Sequence, residues 1–204
     1  MGLDEALKKA RDEFRRANPQ LLAARSGVEY ARGEFQVPFF HRHLVVRYPD
    51  AEVEESGRSP AAEWLQLVVL HYLLTADGTP VADQWIGFRQ LPGGLIYQSA
   101  FAARSIQPLA EAFGHDLEGF RSAARALGGQ VLTRVGDAAF RFLAFPRLPM
   151  ACLIWAGDDE LPASADILFD RAAPHYLHTE DLSVVGGYLS RALIQKKLSD
   201  RSPI

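Results

Sequence analysis

Cysteine is almost absent from this chain: 204 residues contain one, Cys152. A single thiol excludes an intramolecular disulfide, an all-cysteine zinc site and an iron–sulfur cluster held by this chain's own thiolates. Any metal would rest on His, Asp or Glu. Cys152 itself lies inside the apolar run MACLIWAG, where it reads as a small buried hydrophobe on a strand, its thiol made inert by burial. An excess of one charge is lacking too. Lys and Arg number 22 against 25 Asp and Glu, for a net charge of −3, and the two signs are interspersed, so the focused positive field of a nucleic-acid binder is not expected. The apolar run from Trp64 to Leu74 falls short of the roughly 20 residues that a membrane-spanning helix requires. At the N-terminus, MGLDEALKKARDEF is charged and amphipathic rather than an apolar cleavable leader. The expectation is a soluble, cytoplasmic chain with neither nucleic acid nor membrane as partner. G-x-S-x-G, H-E-x-x-H and the phosphate loop G-x-x-x-x-G-K-S/T are all missing, which leaves the common hydrolase, zinc-protease and nucleoside-triphosphatase readings without support. Repeats, linkers and low-complexity segments are missing as well.

What is present begins with a core. A hydrophobic content of 48% over this length supports one domain spanning residues 1–204. Its centre is SPAAEWLQLVVLHYLLTADG, Ser59 to Gly78. Only Gln66 and His71 interrupt the apolar run within it, so no wide polar face remains and the helix belongs in the interior. Ser59 suits the N-cap, Pro60 the first helical position and Gly78 the left-handed stop. Before it, residues 3–17 carry apolar side chains at helical spacing, ended by Asn18-Pro19. EFQVPFFHRHLVVRYPD then reads as one bent strand or two, with Pro38 confining its first half to an edge or a bend, and AEVEE as a short strand.

After the central helix, DQWIGFRQ and LIYQSAF flank Pro92-Gly93-Gly94 as the arms of a hairpin. Residues 101–113 and 116–127 read as helices. The stretch 130–157 reads as three antiparallel strands, reversing at Gly136-Asp137 and at Pro146 to Pro149. Helices are expected again at 163–173 and from Glu180 to Leu198, the last weakened by Gly186-Gly187 where another element approaches closely. Regular βαβ units are missing, which points to an α+β fold: a mostly antiparallel sheet, a buried central helix and peripheral helices.

The ordered series VPFFHRHLVVRYPD, LHYLL, WIGFRQLPGG with Tyr97 and Phe101, LIWAGDDELPASADILFD and PHYLHTEDL resembles the bacterial and archaeal family catalogued as domain of unknown function 3786. The resemblance runs from about residue 25 to Leu198. It implies homology over nearly the whole chain and no known reaction. Some members carry an iron–sulfur label, which does not transfer to a chain with one cysteine. His71 and His175 match the family pattern, whereas the positions of His41, His43 and His178 are usually not histidine in it.

His71 and His175 are therefore the leading candidates, as two ligands of a metal or cofactor or as an acid–base residue and its partner. The competing reading makes each a core histidine bonded to a backbone carbonyl or to a carboxylate such as Asp181. His71 is expected to be buried with a partner. His41 and His43 would chelate from one face of a strand, or are plain surface residues. Asp158, Asp159 and Glu160 would hold a hard divalent cation, or cap a helix starting near Ala163. Trp85, Phe88, Tyr97, Phe101 and Trp155 would line a pocket for a planar ligand, or belong to the core. Together these features favour an accessory protein that binds a small ligand or cofactor in an aromatic- and histidine-lined pocket, with haem or a corrinoid as candidates. A rival is an enzyme pairing His71 or His175 with Asp158, Asp159, Glu160 or Asp181. A third is a protein-interaction adaptor with an exposed apolar patch.

Overall fold

The structure, a computed structural model, describes residues 2–55 and 59–201. They divide into two compact units that share the chain. One comprises Met1–Ala82, Ala144–Leu148 and Ala172–His178; the other comprises Asp83–Leu143, Pro149–Arg171 and Thr179–Ile204.

In the first unit, α1 (Leu3–Arg16) buries Leu7, Ala10 and Phe14, one stripe of an otherwise charged helix. Asn18 caps α2 (Pro19–Ser26): its side chain accepts from the Leu21 N–H, and Gly27 closes the helix at φ 72°. A five-stranded sheet follows in the order β1 (Glu29–Ala31), β2 (Glu34–Phe39), β3 (Arg42–Arg47), β4 (Glu52–Glu55) and β5 (Ser59–Pro60). Every pairing is antiparallel. Phe35, Val37 and Phe39 alternate inward on β2, opposite Val46 and Leu44 of β3, so strand period and burial agree. Pro38 is exposed, where its missing N–H costs little.

The apolar stretch forms α3 (Glu63–Thr75), with Leu65, Val68, Val69, Leu70, Tyr72 and Leu73 buried. It starts later than its sequence signals suggest. Ser59 and Pro60 pair with Glu55 and Glu54 as a short edge strand, and the helix begins after Ala62. Gly78 does adopt a positive φ, 90°, three residues past the last helical one. Tyr72 anchors the unit: its hydroxyl donates to the Ser26 carbonyl at 2.7 Å and accepts from the Arg147 N–H at 3.1 Å, while its ring stacks on Phe145 at 4.2 Å.

The second unit carries the other sheet, ordered β6 (Trp85–Gly87), β10 (Ser164–Asp170), β9 (Leu148–Trp155), β8 (Ala138–Phe145) and β7 (Gln130–Val131). The expected strands of 130–157 are present as β7, β8 and β9. The helix expected over 163–173 is instead β10, paired antiparallel with β9 through Ile167 opposite Cys152 and Phe169 opposite Met150. Ile167 and Phe169 are buried and Leu168 between them only half-buried, an alternation of period two that overrides the alanines before it.

The expected hairpin at Pro92-Gly93-Gly94 is also corrected. A 3-10 turn, Phe88–Gln90, leads into α4 (Gly94–Phe101). Gly93 sits at φ 71°, and a Cβ on Gly94 would overlap the Phe88 carbonyl, so the two glycines turn the chain into a helix instead of a second strand. That leaves Leu95, Ile96 and Tyr97 exposed at 74%, 78% and 48%. The helix continues through a π turn, Ala102–Ile106, into α5 (Gln107–Phe113). Pro108 explains the widening, because it cannot donate to the Arg104 carbonyl and its ring crowds that group. Helices α6 (Leu117–Ala126) and α7 (Thr179–Arg201) complete the unit. Gly186 of α7 lies against Phe101: a Cβ there would stand 2.8 Å from the ring, the close approach expected of the paired glycines. No helix among the described residues is long and apolar enough to cross a membrane.

Candidate functional site

Two loops of the first unit meet just past the end of α3. On one, Asp77 uses Oδ1 to accept from the Thr79 N–H at 2.8 Å, a side-chain turn that Gly78 makes possible with its positive φ. The other is the 3-10 turn Ala173–His175, in which the His175 N–H donates to the Ala172 carbonyl. Tyr176, fully buried, ties them together: its hydroxyl donates to the Thr79 carbonyl and its ring lies 5.9 Å from that of Tyr72.

This arrangement sets Nδ1 of His175 2.7 Å from Oδ2 of Asp77 and 3.2 Å from Oγ1 of Thr79. Both side chains are about half exposed, His175 at 49% and Asp77 at 48%. The backbone N–H of Thr79, and then the His175 ring, hold the Asp77 carboxyl down at about 2, so it is ionised in neutral solution. An ionised carboxylate only accepts. In the neutral ring Nδ1 therefore carries the proton, and Nε2 keeps the lone pair. The product is one oriented imidazole nitrogen with a carboxylate behind it, the pattern that fixes the tautomer and raises the basicity of a metal-ligating or proton-accepting histidine.

The sequence singled out His175 but not its partners. Asp77 and Thr79 lie in TADGT, and the signal available was an Asp-Gly turn closing a helix. His71 is half-buried on α3 between the fully buried Leu70 and Tyr72. Asp181 is buried in the first turn of α7, in the second unit. Phe88 and Phe101 stack on each other at 4.1 Å inside that unit's core. Trp85 packs on Ala139, Ala151 and Leu153, and Tyr97 stands exposed on α4. His41 precedes β3 in the turn and His43 lies on β3. Partial burial and the adjacent Arg42 hold His41 below the usual histidine range.

Asp158, Asp159 and Glu160 do not cap a helix, since a strand follows them. Oδ1 of Asp158 accepts from the N–H groups of Glu160 and Leu161 at 2.9 and 2.7 Å, and these bonds hold its carboxyl below the ordinary range. Among the described residues, no group of three or more His, Cys, Asp or Glu side chains is placed to hold a metal ion. Cys152 is buried on β9, and burial pushes its thiol far up.

The family described as Domain of unknown function (DUF3786) matches residues 18–192, and the chain belongs to it. No curated protein and no solved structure matches the chain.

Proposed function

We propose that this chain is an accessory binding domain working through the Nε2 atom of His175, and that its ligand is a planar cofactor bringing a metal with most of its coordination already filled, a haem or a corrinoid. The observation that carries this reading is the 2.7 Å bond from Nδ1 of His175 to Asp77, which leaves Nε2 with the ring's lone pair. A bare ion needs several protein ligands, and the described residues offer no such group. A metal inside a macrocycle needs one axial imidazole. Asp77 would strengthen that donor by accepting a hydrogen bond from the Nδ1–H.

Titration with haemin and with aquocobalamin, followed by absorption spectroscopy, tests the reading. A saturable shift of the visible bands is expected, lost in His175→Ala and weakened in Asp77→Asn. Spectra that do not move, or that move equally with His175→Ala, overturn it.

The same dyad supports a second reading, an enzyme in which Nε2 of His175 takes a proton from substrate and Asp77 stabilises the resulting imidazolium. Its carboxylate is then Asp77, not Asp158, Asp159, Glu160 or Asp181. The exposure of both side chains favours it, because substrate can reach them. Turnover of activated esters that falls with both His175→Ala and Asp77→Asn, without any spectral response to macrocycles, would select this reading over the first.

A further inference from the structure

At the far end of the β8–β9 hairpin from its turn, the second unit holds a cavity of about 380 Å³ lined by Trp155, Asp137, Asp158, Leu161, Pro162 and Ser164. That volume lies within the range of small-ligand sites. Trp155 is the last residue of β9 and is 38% exposed. A Cβ on Gly136 would stand 3.7 Å from its indole, so the β7–β8 turn backs the ring. Two carboxylates line the same cavity. Asp137 uses Oδ2 to accept from the Ala156 N–H at 2.8 Å, and Asp158 uses Oδ1 for the Glu160 and Leu161 N–H groups. The second oxygen of each accepts from no donor among the described residues. Among the lining residues there is no basic side chain. The Arg121 guanidinium bonds the Asp137 carbonyl and the Glu118 carboxylate.

We infer that this cavity binds an organic ammonium group, its methyl or methylene carbons against the Trp155 indole and its charge between Asp137 and Asp158. An aromatic face attracts a cation through its quadrupole, most strongly for tryptophan, and a quaternary ammonium has no N–H donors to satisfy. Two carboxylates supply the long-range attraction. Each is already fixed by backbone donors, so little ordering cost falls on binding. A metal ion is the poorer fit, because these carboxylates belong to no ligating group of three. The site lies wholly within the second unit and is independent of His175.

Choline is the probe, and the indole N–H resonances of the three tryptophans are the readout, with Trp155 assigned by Trp155→Phe. Choline should move the Trp155 resonance saturably, with Kd on the order of 1 mM, and added salt should weaken it. The neutral isostere 3,3-dimethylbutanol should leave it in place. Asp137→Asn and Asp158→Asn keep an acceptor for the backbone bonds, and each should weaken binding about fivefold. A Trp155 resonance unmoved by choline, an equal response to the neutral isostere, or undiminished binding in the double Asn variant each overturns the inference. The isostere comparison uses the wild-type chain and does not depend on any variant folding.

Discussion

Asp77 and His175 are 98 positions apart in the chain, yet Oδ2 of one lies 2.7 Å from Nδ1 of the other. The Thr79 N–H on Oδ1 and, after it, this bond on Oδ2 have a direct consequence for acid stability. Asp77 ionises at about 2 in the fold, against 3.8 ordinarily. Its folded value is depressed, so its contribution to stability is complete above the unfolded value and is lost as pH falls from about 4 through about 2. Melting temperatures of wild type and Asp77→Asn should therefore differ in neutral buffer and converge across that window. The side chains are half exposed, so salt should narrow the neutral gap. A gap that stays constant down to about pH 2 would show that Asp77 is not stabilised in its ionised form.

Tyr72→Phe should destabilise the first unit through its polar atom alone. The substitution keeps the stacking on Phe145 but removes the donor to Ser26 and the acceptor for Arg147. Leaving a buried carbonyl without its donor costs about 1–3 kcal/mol. Urea unfolding should show a lower midpoint at an unchanged slope. Burial pushes the Tyr72 hydroxyl well above the ordinary tyrosine range, so the loss should be the same at any pH from mildly acid to mildly alkaline. An unchanged midpoint would mean that water replaces both bonds.

Gly186→Ala tests packing in the second unit. The added methyl would stand 2.8 Å from Cε2 and 2.9 Å from Cζ of Phe101. Phe101 is fully buried and stacked on Phe88, so its ring has nowhere to retreat. In an exposed helix this exchange would gain up to about 1 kcal/mol from propensity. Here overpacking, typically 1–3 kcal/mol, should win and lower the melting temperature. The double variant Gly186→Ala with Phe101→Leu should recover part of the loss, a coupling that independent sites would not show.

The sequence was most informative where one residue pattern permits one environment. The run from Trp64 to Leu74 has no broad polar face, so the burial of α3 was legible at once. Its start was not, because Ser59-Pro60 suits a helix N-terminus and a short edge strand equally, and strand pairing to Glu54 and Glu55 decides between them. Leu95-Ile96-Tyr97 reads as the arm of a hairpin because Pro92-Gly93-Gly94 suits a tight reversal. The helical path there follows from a glycine forced against the Phe88 carbonyl, a constraint that composition does not encode. The region 163–173 reads as a helix, and only pairing with β9 makes Ile167 and Phe169 inward residues of a strand. At the site, His175 was visible by type and place. Its carboxylate is not legible: Asp77 sits in an ordinary helix-stop Asp-Gly turn, while the clustered acids at 158–160 carry the stronger sequence signal.

Cys152 offers a reporter on global opening. It is fully buried on β9, paired across from Ile167, and its thiol is held protonated by burial and by the negative charge of Asp166. Only the thiolate attacks a disulfide reagent, so labelling must wait until the strand is released from its sheet. Core strands open with free energies approaching that of global unfolding. Labelling of the native protein should therefore be slow, and its rate should rise with urea along the same slope that governs equilibrium unfolding. Destabilising the second unit with Gly186→Ala should speed it by the factor its loss of stability predicts, about tenfold for each 1.4 kcal/mol. Rapid labelling in the absence of denaturant, insensitive to Gly186→Ala, would mean that β9 opens locally rather than with its core.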